Sequence, residues 1–241
     1  MNVFLWGALP YITVGLLVAG LYWRYRYDKY GWTTRSSELH ESKLLSVASP
    51  MFHYGIMFVF VGHIMGLLVP ASWTDAAGLG DHTYHLLSLF GGTAAGILAV
   101  VGIGLLIYRR RRNTAVHRAT TRGDKVMYVF LVAAMLMGMW AKLANASLGS
   151  GYDYRATIAP WTRGVLTLQP EPALMQGVPV TFQVHILFGM ALIALIPYTR
   201  LVHMFSAPIQ YLFRPYIVYR SRDTRQLGTR EERRGWERTG V

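Results

Sequence analysis

The sequence predicts an all-α membrane protein, a bundle of five transmembrane helices. Three observations carry that prediction. Hydrophobic residues make up 53% of the 241-residue chain, and charged residues only 15%. Several runs of about 20 residues hold few or no charges, the length that crosses a hydrocarbon core of roughly 30 Å. The basic residues gather in the segments between alternate runs, as they do in multi-pass proteins.

The spans are expected at Val3–Trp23, Pro50–Val69, Leu86–Tyr108, Val126–Ala146 and Val178–His203. The first, "VFLWGALPYITVGLLVAGLYW", lacks the basic flank and small-residue cleavage site of a removable signal peptide and reads as a retained span. The fifth is longer than a crossing needs and contains Arg200, so its last turn is expected to leave the hydrocarbon. Pro10 and Pro197 are expected kink sites, tolerated where neighbouring groups satisfy the freed backbone.

Of the 24 Lys and Arg, 21 lie in Arg24–Ser46, in Arg109–Lys125 or from Arg200 onward. Only Lys142, Arg155 and Arg163 stand at the other end, and the segment Ala71–His85 has none. Under the positive-inside rule this sets the N-terminus outside and the C-terminus in the cytoplasm of a multi-pass protein of the cell membrane. The formal charge of +12 is thereby explained by topology and calls for no nucleic acid. Two parts are expected: residues 1–208 as the membrane domain and 209–241 as a basic cytoplasmic tail too charged to build a core. The outer loop "SLGSGYDYRATIAPWTRGVLTLQPEPALMQG" is long for a plain connection and is a candidate cover for a site. With no cysteine, the chain performs no thiol chemistry and ligates no iron–sulfur cluster itself.

Ionisable residues inside spans are functional candidates by default. Four histidines are confined to two spans: His53 and His63 in the second, His185 and His203 in the fifth. One intramembrane histidine is readily explained by a hydrogen bond to a carbonyl; two pairs are not. The two spans run in opposite directions, so His53 matches His203 and His63 matches His185. On a straight helix the 18 residues from His185 to His203 make five whole turns and put both on one face. The axial spacings disagree, at roughly 15 Å on the second span and roughly 27 Å on the fifth. Zinc takes more ligands than a histidine pair supplies. Haem iron needs only two axial ligands, and its flat apolar ring suits a helix bundle. The pattern favours a dihaem b-type cytochrome, with iron on His53, His63, His185 and His203. Gly55, Gly62, Gly66 and Gly189 lie near these ligands as candidate room for the ring. His40 and His117, in basic segments, read as solvated, and His82 and His85 as interfacial.

The stretches "RYRYDKYGWTTRSSEL", "SPMFHYGIMFVFVGHIMG", "HRATTRGD" and "FQVHILFGMALIALIPYTRLVHMFSAPIQYL" resemble the gamma subunit of respiratory nitrate reductases, a membrane-anchored dihaem cytochrome b. The resemblance covers most of Arg24–Leu212. It implies that His63 and His185 bind a distal haem b and that His53 and His203 bind a proximal one. It implies quinol oxidation near the distal haem, with Gly62 and His63 matching the family's quinol-site pair. The electrons would pass to a cytoplasmic iron–sulfur beta subunit and a molybdenum-containing alpha subunit that reduces nitrate. One departure stands out: a lysine associated with quinol binding aligns near Thr83, where this chain reads "DHTYHL". His82, Thr83 and His85 are the local candidates to replace it. Two other readings are a dihaem subunit of a sulfite or heterodisulfide reductase-like complex and a haem-free transporter. Against the transporter, spans two to four carry no buried carboxylate in this reading.

Overall fold

A computed structural model describes residues 2–147 and 152–206. Five helices are long and apolar enough to cross a membrane: Phe4–Tyr27, Lys43–Leu68, His82–Arg112, Arg122–Asn145 and Val180–Tyr198. Their regular α portions are α1 (Leu9–Tyr27), α2 (Lys43–His63), α4 (Asp81–Arg112), α6 (Arg122–Ser147) and α8 (Val180–Leu195). Short helices α3 (Ala71–Ala76), α5 (Thr114–Arg118) and α7 (Ile158–Leu166) lie in the connections. No strand occurs among the described residues. The tail expected at 209–241 lies outside the described residues.

The surface inverts the rule for soluble proteins. Val14 and Val18 on α1, Met57, Phe58 and Phe60 on α2, Phe90 and Ile97 on α4, and Val129 and Leu136 on α6 are exposed. A continuous apolar exterior of this kind marks an interaction surface, and on five bilayer-length helices that surface is lipid-facing. Small residues then let the helices approach, as they do where lipid tails offer no competing hydrophobic drive. A Cβ on Gly55 would come 2.5 Å from the Ala99 backbone nitrogen, and one on Gly102 would come 2.5 Å from that of Phe52. These two contacts press α2 along α4. α8 packs along α6 and against α1, and α4 meets α6 more narrowly. Gly20 of α1 lies against the Pro197 ring just beyond α8.

Most span ends differ from the sequence expectation by one to five residues, and two boundaries differ by more. α2 begins at Lys43, seven residues before Pro50, because a proline within the first turns of a membrane helix does not end it. The fifth span does not run straight to His203. α8 stops at Leu195, a 3-10 turn covers Ile196–Tyr198, and Thr199 is extended (φ −124°, ψ −179°). A separate 3-10 turn, Arg200–Ser206, carries His203. Pro197 lacks an N–H and cannot continue the α ladder, and its carbonyl instead accepts the buried Arg24 Nε at 2.8 Å. The five-turn reading and the roughly 27 Å spacing therefore do not hold, because they assumed one unbroken helix.

The ends of the bundle are built differently. At the basic end, Arg109 of α4 donates to the Ser37 hydroxyl and carbonyl, both at 2.8 Å, and to Glu41. At the opposite end, α7 folds back so that Trp161 Nε1 donates to Trp6 O at 2.8 Å, with the rings 5.7 Å apart and edge-on. Ile158, Met175, Val178 and Met190 complete a buried apolar cluster there.

Candidate functional site

α2 and α8 make little backbone contact with each other, yet their imidazoles meet. The ring centres of His63 and His185 are 5.9 Å apart, and those of His53 and His203 are 6.3 Å apart. The structure thus forms both cross-pairs that antiparallel matching predicts. His203 reaches its pair from the turn beyond Thr199 rather than from a fifth helical turn of α8.

All four rings share one hydrogen-bonding pattern. Nδ1 of His53 lies 2.8 Å from Ser49 O, that of His63 2.8 Å from Val59 O, that of His185 2.8 Å from Ala134 O, and that of His203 2.5 Å from Arg200 O. A carbonyl oxygen can only accept, so each Nδ1 carries the proton and donates it. In the neutral ring this leaves Nε2 as a lone-pair donor. A backbone carbonyl holding the outer N–H is how proteins fix the tautomer and direction of a metal-binding histidine.

The donor set discriminates between metals. Among the described residues no group of three or more His, Cys, Asp or Glu is placed to hold a metal ion. Zinc sites need three or four protein ligands, so a lone pair of imidazoles does not make one. Two metal–nitrogen bonds of about 2 Å each, plus the offset of each nitrogen from its ring centre, span about 6 Å. Both ring separations match that span. Haem iron, whose remaining ligands come from the porphyrin, fits these residues.

The glycines near the histidines divide into two kinds. A Cβ on Gly62 or Gly189 would meet nothing within 4 Å, so these two leave space. Gly55 and Gly66 instead serve packing, Gly55 against Ala99 and Gly66 against the Tyr154 hydroxyl. A fifth glycine, which the sequence did not single out, shapes the site directly. A Cβ on Gly138 of α6 would lie 2.8 Å from His185 Cε1 and 3.0 Å from its Nδ1. The imidazole rests in this notch while the Ala134 carbonyl, one turn away, accepts its proton. Only α6–α8 packing, invisible in a single sequence, reveals that role.

Immediately after His63 the second span changes to π winding, Ile64–Leu68. Such insertions redirect side chains and recur at functional sites. The outer loop supports this segment: α7 packs on it, and Arg163 donates to Leu67 O at 3.1 Å. The described part of the loop that was a candidate cover for a site thus lies against the segment that follows His63, while the His63 side chain itself stays exposed. Among the quinol-site candidates, Gly62 borders open space beside His63, whereas Thr83, His82 and His85 are exposed on the first turns of α4. Tyr84 turns inward instead. Its hydroxyl is 3.5 Å from that of Tyr154, and the Arg155 guanidinium lies 4.0 Å from its ring centre. His40 and His117 are exposed, in keeping with solvated side chains.

Fold and site define a multi-pass helical membrane protein with one histidine pair between its second and fifth spans and another between the second span and the turn beyond the fifth. The chain belongs to the nitrate reductase gamma subunit family, whose model matches residues 2–222. It is 54% identical over 237 residues to the nitrate reductase-like protein NarX of Mycobacterium tuberculosis, covering 98% of this chain and 36% of that relative. The chain therefore spans about a third of the NarX protein's length. It is 40% identical to the nitrate reductase gamma chain of Bacillus subtilis over 218 residues, which cover 90% of this chain and 97% of the relative. With the respiratory nitrate reductase 1 gamma chain of Escherichia coli the identity is 32% over 223 residues, 92% of this chain and 98% of the other.

Proposed function

We propose that this chain is the quinol-oxidising membrane subunit of a respiratory nitrate reductase. It holds two haems b, one on His63 and His185 and the other on His53 and His203. The observation that carries this reading is the shared tautomer of the four imidazoles, each with Nδ1–H held by a carbonyl in a pair separated by about 6 Å. Held there by His63 with His185 and by His53 with His203, haem would supply one-electron redox chemistry.

The chain's own residues do the positioning. Ser49, Val59, Ala134 and Arg200 carbonyls aim the rings, and Gly62 and Gly189 leave room beside them. The basic end faces the cytoplasm, and the N-terminus and α7 face outside. Quinol is bound at the α7 end, beside Gly62 and His63, with Thr83 and Tyr84 at the mouth of α4, and its protons leave on that side. Electrons exit at the basic end to an iron–sulfur beta subunit and a molybdenum-containing alpha subunit that reduces nitrate. Inward movement of negative charge against the membrane potential costs about 2.3 kcal/mol per electron per 100 mV, so it requires a more oxidising acceptor.

The test uses the complex in native membranes with menadiol as donor and nitrate as acceptor. Menadiol is expected to reduce the b-type absorbance and nitrate to restore it, and His63→Ala is expected to abolish the menadiol step. Absorbance that dithionite reduces but menadiol does not would contradict the quinol-oxidising role.

A further inference from the structure

His203 sits on a short 3-10 turn cut off from α8 by the extended Thr199, so regular helix geometry does not place it. Something else must. The residue whose carbonyl accepts the His203 Nδ1 proton is Arg200. Arg200 is gripped in a two-pronged contact by Asp124 of α6: Nε donates to Oδ1 at 2.8 Å and the second guanidinium nitrogen to Oδ2 at 2.7 Å. Asp124 is wholly buried. The fork geometry fixes direction as well as distance, which a single-point charge pair would not.

Asp124 is itself locked in place. Thr121 N donates to its Oδ2 at 3.0 Å, while Asp124 N donates to Thr121 Oγ1 at 3.2 Å. This reciprocal pair is a capping box, with aspartate at the third position, at the start of α6. Arg35 reaches Thr121 Oγ1 at 3.2 Å, and Arg200 reaches Thr34 O at 3.4 Å. Three separate sequence stretches, "GWTTRSS", "HRATTRGD" and "TRLVHMF", therefore converge on one contact chain.

We infer that the Asp124–Arg200 pair is the positioning device for His203, passing the fixed start of α6 through the Arg200 carbonyl to the imidazole. It rests on the haem reading for its redox consequence but not for its structural one. Asp124 and Arg200 touch neither ring of the other pair. His185 is held instead by regular α8, the Gly138 notch and the Ala134 carbonyl. Loosening the clamp therefore acts on one pair alone.

The test compares Asp124→Asn, Asp124→Glu and Arg200→Lys in the purified complex, with His63→Ala and His203→Ala marking which spectral component belongs to which pair. Asp124→Asn is expected to shift the midpoint potential and low-spin electron paramagnetic resonance signature of the His53–His203 component, or lose it, and to leave the other unchanged. Arg200→Lys keeps the charge but not the fork and is expected to fall between Asn and wild type, with Asp124→Glu closest to wild type. Hydrogen–deuterium exchange supplies a readout independent of bound haem: residues 199–206 are expected to exchange faster in Asp124→Asn while 180–195 do not. Equal loss of both components with general loosening of the fold would overturn the positioning role, and so would unchanged exchange at 199–206. A wild-type sample without haem would defeat the haem reading alone and leave the exchange result to decide this one.

Discussion

The two histidine pairs reach similar ring separations by different means. His63 and His185 stand on continuous helices, and packing holds them: a glycine notch on α6, a carbonyl on the same helix, and a π-wound segment braced by α7. His203 stands beyond a helix break, and a buried ion pair and a capping box hold it. The α7 end is thus ordered by steric fit and the basic end by directed polar contacts. The lesson is that similar ring separations, 5.9 and 6.3 Å, do not imply equal vulnerability.

The largest expected effect is one that erases the difference. α2 carries a member of each pair, and its seat on α4 depends on Gly55 meeting Ala99 backbone atoms that have nowhere to go. Gly55→Ala is expected to part the helices at a cost of about 1–3 kcal/mol. Both components of bound haem should fall together, as pyridine haemochrome analysis and thermal denaturation would read.

Gly138→Ala sharpens the comparison. Its Cβ would strike a side chain rather than backbone, so the fold gives locally, and the His63–His185 component alone is expected to lose the greater part of its intensity. A uniform loss of both would show that the notch serves general packing.

Gly62→Ala and Gly189→Ala should be smaller still for the protein, because the added methyl meets no protein atom within 4 Å. Thermal stability is expected to stay within about 0.5 kcal/mol or rise slightly, since alanine favours helix. A shifted haem spectrum in either variant would locate the macrocycle beside that residue.

The smallest effect is a dependence on pH at the basic end. The Leu44 N–H, first, and the Arg109 guanidinium hold the Glu41 carboxyl below its ordinary range. A lowered folded-state value means that its support for the start of α2 is fully present above the ordinary carboxylate range. That support is lost as pH falls through the lowered value. Glu41→Gln is expected to remove the acid-side change in hydrogen exchange at residues 41–48 while leaving the α7 end untouched. Arg200 does not add to this dependence. Burial, the largest single influence, works against its charge, but the Asp124 hydrogen bond and the electrostatic pull of Tyr128 and Asp124 together outweigh it and keep the guanidinium above its already high ordinary value.

Much of this was legible in the sequence, for identifiable reasons. Hydrocarbon thickness imposes a length on any span, so five spans could be counted, and residues as costly to bury as histidine stand out against apolar filler. Antiparallel succession then matched His53 with His203 and His63 with His185. What one dimension hides is where a helix stops being a helix. Pro50 sits within the first turns of α2 and interrupts nothing, whereas Pro197 ends a segment whose freed carbonyl Arg24 captures from 173 positions away. Gly138 and Tyr84 carried no signal of their own, because each matters only through what a different helix or loop brings against it. Thr83, chosen by alignment position, lies on the exposed side of the same turn whose inward residue is Tyr84.

The most direct test of the central claim is a dithionite-reduced-minus-oxidised spectrum of the purified membrane protein, with haem counted as the pyridine haemochrome, in wild type, His63→Ala and His203→Ala. The account predicts two haems b per chain in wild type and the loss of a different one in each variant. A well-folded wild-type protein with no haem, or variants that both lose the same component, would contradict it.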